Sequence, residues 1–413
     1  MTILGNLFPR KKNVFKTTPT VPFTATALAI ILIAGWVLWL LWAALMPPAV
    51  SLSLAPGQPL RALPLMKNEA TTNPNQHFEG RLMASNEAVE VAPQSIWQKL
   101  LPRNPHFMLY NKSIPGPLVE VMGGTEVTIP FTNKLAEITT VHFHGLSTPV
   151  EQDGNPEDIV APNKTRPYHF TLPADWQGTF WYHPHPMGLS AKQLFYGLAG
   201  PMIVHAKDDP LAALHIPEHN LFITGIRLKN GRVDPNTDAD WNHGRMGEPL
   251  LVNGQVVPVL TVAPNSTHRL RIWNATNGRF ISLSIKKDDP TKNVTLPLYL
   301  VGTDGGLIEH PYRLNEEPML AAAERQELVA TFNGKAGDIF TLYQQYPILP
   351  EEAVNSSVGN ATTAGEAINQ SNMKMVETNK KDMEAMGHTM AGDGRDNSKA
   401  MKDDNMNMEG MDG

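Results

Sequence analysis

The feature that most constrains this chain is a series of short apolar alternations with period two, beginning at about His77 and separated by turn residues. Leu118-Val119-Glu120-Val121, Val127-Thr128-Ile129-Pro130-Phe131 and Thr179-Phe180-Trp181-Tyr182 carry it. Successive side chains on a strand point to opposite faces, so alternation marks half-buried strands. Turns are supplied by Pro115-Gly116-Pro117, Gly123-Gly124, Asp153-Gly154-Asn155-Pro156 and Asp304-Gly305-Gly306. With 35 prolines and 31 glycines in 413 residues, the chain suits short strands better than long helices. An all-β fold is expected.

A weak internal repeat divides the β region. Val121–Asn133 and Val262–Asn274 share spacing, with Ile129/Phe131 and Leu270/Ile272 in register, and turns at Met108–Asn111 and Leu250–Gly254 precede them. The repeat predicts two like β-sandwiches, at 76–208 and 215–347. Residues 47–75, rich in Pro, Ala and Leu without clear period, are expected to form a linker.

The N-terminus sets location. A basic segment, 1–20, holds Arg10, Lys11, Lys12 and Lys16, and an almost wholly apolar run follows over 21–46. About 20 helical residues cross the ~30 Å hydrocarbon layer, so this run is expected to be a transmembrane anchor, with the basic side cytoplasmic. The alternative is a cleaved secretory signal, whose apolar region is normally only about 7–15 residues. Both readings place the remainder outside the cytoplasm, membrane-anchored in one case and soluble in the periplasm in the other.

The chemistry lies in two His-X-His motifs. Residues i and i+2 of a strand share a face, so His142 and His144 are expected side by side, and likewise His183 and His185. Pro184 suits an edge strand, where no ladder donor is needed. Neutral imidazole binds copper, zinc, iron or nickel, so spacing does not choose the metal. One such motif is commonly structural or solvated; two beside aromatic strand residues point to a metal site.

His142-Phe143-His144-Gly145-Leu146 and Gly178-Thr179-Phe180-Trp181-Tyr182-His183-Pro184-His185 resemble the first two copper motifs of multicopper oxidases. Tyr110-Asn111 with Pro115-Gly116-Pro117 is similar to the family's opening turn, and Tyr196-Gly197-Leu198-Ala199-Gly200 to its strand after the second motif. The likeness runs from about residue 77 to 345 and is nearest the exported bacterial cuprous oxidases and copper-resistance oxidases. It implies two cupredoxin-like Greek-key β-sandwich domains. It also implies that His142 binds a type 2 copper and that His144, His183 and His185 bind paired type 3 coppers, for oxygen-coupled oxidation of Cu(I) or phenol-type substrates. An acidic residue shortly after the first motif helps deliver protons in the family; Asp153 occupies that place, where a plain Asp-Gly turn is the alternative.

The departures from the family are as informative. Complete members add a His-x-x-His-x-His motif and a His-Cys-His motif followed by His and Met. Neither occurs here, and cysteine is absent altogether. A thiolate-ligated type 1 copper is therefore excluded from this chain. The resemblance covers the first two domains of a three-domain oxidase, so the sequence is expected either to be truncated or to need a second chain as partner supplying the C-terminal domain, and to be inactive alone.

The final segment, 348–413, is poor in aromatics and expected to be disordered. Nine of the 19 methionines fall there. Thioether sulfur is soft and prefers Cu(I), so Met373, Met375, Met406, Met408 and Met411, with His388, are candidate Cu(I) ligands; compositional drift is the alternative. A non-enzymatic copper-buffering protein, or a sandwich protein that serves assembly or division, are the competing functional readings. The net charge of −6 excludes a nucleic-acid partner, which would require clustered positive charge.

Overall fold

The computed structural model describes residues 34–35, 50–52, 54–91, 105–229, 232–289, 291–292 and 294–345. The described chain is mostly strand, as the alternations predict. Its first half comprises β1 (Val50–Leu52), β2 (His77–Glu79), β3 (Leu82–Val91), β4 (His106–Tyr110), β5 (Val119–Met122), β6 (Glu126–Asn133), β7 (His142–His144), β8 (Thr165–Thr171), β9 (Gly178–His183) and β10 (Gly200–His205). One sheet runs β1-β3-β6-β2 with β4 on β3 and β8 on β6; the facing sheet runs β5-β10-β9-β7. The two close over a core that includes Ile129, Phe131, Phe143, Tyr168, Phe180, Tyr182 and Met202.

The second half repeats the architecture. It comprises β11 (Glu218–Gly225), β12 (Leu228–Lys229), β13 (Arg232–Val233), β14 (Leu250–Val252), β15 (Ser266–Asn274), β16 (Ile281–Lys287), β17 (Val294–Thr295), β18 (Leu298–Thr303), β19 (Gly306–Arg313), β20 (Met319–Leu320), β21 (Arg325–Phe332) and β22 (Phe340–Gln345). A sheet ordered β14-β11-β15-β21-β18-β19 faces one built around β16. Three short helices, α1 (Ser190–Phe195), α2 (Pro210–Ala213) and α3 (Asp238–His243), lie on the connections.

The repeat seen in sequence has a physical basis. Asn133 and Asn274 end the matched strands β6 and β15, and each side-chain oxygen accepts a backbone N–H two residues on, from Leu135 and Thr276. Their amides donate to neighbouring carbonyls, Glu137 and Val160 in one case, Arg279, Leu320 and Ala321 in the other. Asn111 and Asn253 form a second matched pair, both at positive φ, accepting from the N–H of Met83 and Phe222. Each Asn ties a strand end to a loop that would otherwise leave buried backbone groups unpaired.

Two expectations need correction. The described residues of 47–75 are not a free linker: β1 pairs parallel with β3, Pro59 bridges Val259 and Leu65 bridges Leu118. Leu52 and Met66 are buried. The segment lies extended across both sandwiches, so each apolar residue meets a different partner and no period develops. Second, β9 is not an edge strand. It sits between β10 and β7, stops at His183, and Pro184 follows its end. The strand after the second motif likewise starts only at Gly200, because Tyr196 caps α1.

β9 is also buried on both faces rather than half-buried. Phe180 and Tyr182 enter the first core. Trp181, on the opposite face, packs in a separate cluster with Phe222 and Trp273 of the second sandwich. The outward face of the first sandwich's second sheet is thus the face covered by the second sandwich.

Among the described residues no helix is long and apolar enough to cross a membrane. The expected anchor, 21–46, lies outside them apart from Ala34 and Gly35, and the Met-rich segment 348–413 lies outside them entirely.

Candidate metal centre

β7 and β9 pair antiparallel with His142 opposite His183 and His144 opposite Trp181. Strand alternation sends Phe143 and Tyr182 into the core and leaves His142, His144 and His183 together on the outward face. His185, beyond the end of β9, returns to the group because its N–H donates to Thr140 Oγ1 at 2.8 Å. Ring centroids of His142 lie 5.7, 5.2 and 5.3 Å from those of His144, His183 and His185. Nitrogen atoms of His142, His144 and His183 all fall within 4.8 Å of one another. The structure brings together the four histidines that the sequence singles out, although His185 is placed by a loop and a threonine rather than by strand alternation.

The His142 and His183 rings are held from behind. His142 Nδ1 lies 3.0 Å from the Asp153 carbonyl and 3.2 Å from its carboxylate, which in turn accepts from Thr148 Oγ1 at 2.7 Å. That leaves His142 Nε2 free to face the group. Gly154, at φ 65°, lets this turn pack against the Val141–His142 backbone, where any Cβ would collide with the Val141 carbonyl. His183 Nδ1 lies 3.0 Å from the Pro184 carbonyl, and its Nε2 is 3.1 Å from His144 Nδ1. Trp181 lies with its ring centroid 4.4 Å from that of His183 and 5.2 Å from that of His144.

Burial, followed by the Arg325 charge and then by His142 and His185, pushes the His144 imidazole down to about 4. Burial likewise holds His183 well below the usual histidine range. Both rings are therefore neutral near pH 7, the state a metal ligand needs. His185 Nδ1 is buried without a hydrogen-bond partner, which is costly unless something else takes it up. Converging neutral imidazoles, an orphaned ring nitrogen and carboxylate support behind one ring fit a borderline transition metal such as copper.

A family model described as "Multicopper oxidase" matches residues 94–209, which include all four histidines. Residues 94–209 thus match a multicopper oxidase domain. Among curated relatives, the multicopper oxidase mco of Staphylococcus haemolyticus is 31% identical over 235 residues, covering 56% of this chain and 50% of that protein. The cell division protein FtsP of Proteus mirabilis is 32% identical over 228 residues, covering 53% and 45%. Among solved structures, a Campylobacter jejuni multicopper oxidase described as a metallo-oxidase superposes with TM-score 0.62 at 36% identity, covering 74% of this chain and 62% of that one. A Pediococcus acidilactici laccase gives 0.60 at 26% identity, covering 73% and 62%. The chain spans about half the length of the curated relatives it matches. The family implies copper cofactors.

The residues that sequence reading missed lie on the second sandwich. Trp273 Nε1 donates to the Phe180 carbonyl at 2.6 Å, Arg325 Nε to the Thr179 carbonyl at 2.8 Å, and Thr179 Oγ1 to Glu327 at 2.6 Å. Three residues of the strand bearing His183 are thus gripped or packed by a domain that contributes no histidine to the group. Charged residues in a strand read as solvent-facing, so nothing local flagged them.

Proposed function

We propose that His142, His144, His183 and His185 hold copper as one half of a trinuclear-type centre serving oxygen-coupled oxidation outside the cytoplasm. The observation that carries the reading is the convergence of four ring systems, two of them held neutral by burial, within one family-matched domain. Copper, when bound, would supply one-electron redox chemistry and reduction of dioxygen. The chain's own residues orient and shield. Asp153 fixes His142 through Nδ1, which assigns it a positioning role and leaves it near enough to exchange protons with that ring. Trp181 covers one side of His144 and His183.

Four histidines and no cysteine cannot build the electron-entry site or the rest of the cluster. We therefore read oxidase activity toward Cu(I) or phenol-type substrates as requiring a further domain that carries the cysteine-bearing motif. The methionines of 373–411 with His388 would serve as a Cu(I)-holding segment, and the 21–46 run as the membrane tether. The absent cysteine equally favours a second reading, a non-enzymatic extracytoplasmic copper-binding protein. The two share the histidine site and differ in whether a completing domain exists.

The test is Cu(II) titration of the apo-protein followed by electron paramagnetic resonance, with H142A/H144A as control. Nitrogen-ligated copper that disappears in the double variant is expected. Identical spectra and stoichiometry in the two proteins would overturn the reading. Adding a purified His-Cys-His-containing candidate chain and following oxygen uptake separates the oxidase component from the copper buffer.

A further inference from the structure

Arg325 opens β21 in the second sandwich, yet its side chain ends beside the histidine motif of the first. It is 3% exposed. Nη1 meets Asp304 Oδ1 at 2.7 Å, Nη2 donates to the Asp304 carbonyl at 3.0 Å, and Nε donates to the Thr179 carbonyl at 2.8 Å. The guanidinium carbon lies 6.0 Å from the Phe180 ring centroid. Gly145, immediately after His144, has φ 89°, and a Cβ there would strike Arg325 Nη2. The arginine thus touches the first motif at Gly145 and the second motif's strand at Thr179, joining them at the point where the rings converge.

Its charge is incompletely cancelled. Asp304, the carboxylate paired with it, is 47% exposed, so water screens the counter-charge while the guanidinium itself is buried. Glu324 adds a more distant negative charge and accepts from the Ala321 N–H, while Glu327 holds Arg269, Arg271 and Thr179, and Glu218 holds Arg269 and Arg271. A fixed positive charge beside a metal ligand disfavours the more highly charged metal state. Hydrogen bonds alone could have been supplied by a neutral amide; a buried cation requires a reason.

We propose that Arg325 is a positioning residue through which the second sandwich both locks the two His-X-His segments together and biases bound copper toward the cuprous state. The inference rests on the copper reading above. It gives the second sandwich, which brings no ligand, a direct part in the chemistry: it sets the charge environment in which Cu(I) and Cu(II) compete.

The experiment compares Cu(II) and Cu(I) affinities of the full chain, counting only copper lost on H142A/H144A substitution, in wild type, R325Q, R325K and D304N. Cu(I) is read by competition with a chromogenic cuprous chelator and Cu(II) by paramagnetic resonance titration. R325Q should raise the Cu(II)-to-Cu(I) affinity ratio about tenfold, while R325K, which keeps the charge, stays within about twofold of wild type. D304N removes the counter-charge and should move the ratio the opposite way. A merely structural arginine would lower the melting temperature without moving the ratio. Equal ratios in R325Q and wild type, with copper bound in both, would overturn this inference alone. Should R325Q fail to fold, an unchanged ratio in D304N would overturn it. Absence of His142/His144-dependent copper in wild type would overturn the copper reading and this inference with it.

Discussion

One carboxylate, Glu327, sits at the centre of the charge network between the sandwiches. Glu327 is 0% exposed and accepts from Thr179 Oγ1 at 2.6 Å, Arg271 Nη1 at 2.6 Å and Arg269 Nε at 2.9 Å, with Arg269 Nη2 closing the fork. Glu327→Gln keeps the shape and deletes the charge. Breaking a buried pair by neutralising one partner costs about 3–5 kcal/mol, because the other charge stays buried. Here the arginines are not abandoned: Arg269 keeps Asp209 and Glu218 at 2.8 Å, and Arg271 keeps Glu218 at 2.8 Å. The lower end, about 3 kcal/mol, is therefore expected.

The loss should also fall on one place. One of the two carboxylate oxygens becomes an NH2 donor, so either Arg269 or the Thr179–Arg271 pair loses its acceptor, and the remaining oxygen binds more weakly. In guanidinium denaturation, wild type should unfold in one step by tryptophan fluorescence and by far-ultraviolet circular dichroism, since Trp181 and Trp273 share the interdomain cluster. In E327Q the fluorescence transition should precede the loss of strand signal. A variant within about 1 kcal/mol of wild type, with the two probes still coincident, would refute the reasoning and show the charge network to be dispensable.

Further outcomes follow from other parts of the molecule. Asp153→Ala should weaken copper binding about 10–100-fold, as loss of a carboxylate behind a ligating imidazole does, read by the same resonance titration. Gly154→Ala should destabilise the first sandwich by about 1–3 kcal/mol in thermal melts, since the φ and the Val141 carbonyl both oppose a Cβ. His219 and His268 face each other at 2.8 Å, and burial lowers the proton affinity of both. The unfolded chain takes up protons below about pH 6.5 that the folded pair refuses, so stability is full above that pH and falls beneath it. H219Q/H268N should flatten that decline below about pH 6.5 in denaturant titrations. Deleting residues 370–413 should lower Cu(I) stoichiometry while leaving the resonance signal of His142-dependent Cu(II) unchanged.

What was legible in the sequence follows from which forces leave a local trace. A strand's alternation is local, so β6 alternates buried Val127, Ile129 and Phe131 with partly exposed Thr128 and Pro130, as the sequence reads. His142 and His144 are neighbours on β7 for the same reason. The duplicated asparagine brackets at Asn133 and Asn274 left a trace because each side-chain oxygen accepts from the backbone two residues on, a local contact that fixes the residue type at the strand end. Nothing local distinguishes Arg325 from a solvated arginine, because its partners Thr179 and Phe180 lie in the other sandwich and supply burial only after the two have docked. The same holds for the segment 47–75, whose register is set by strands of both halves. The ligands of the candidate centre are thus a property of one sandwich, while the charge beside them and the burial of their strand belong to the pair. If that division is real, the first sandwich in isolation should present the same four histidines but lose the electrostatic bias on whatever metal they hold.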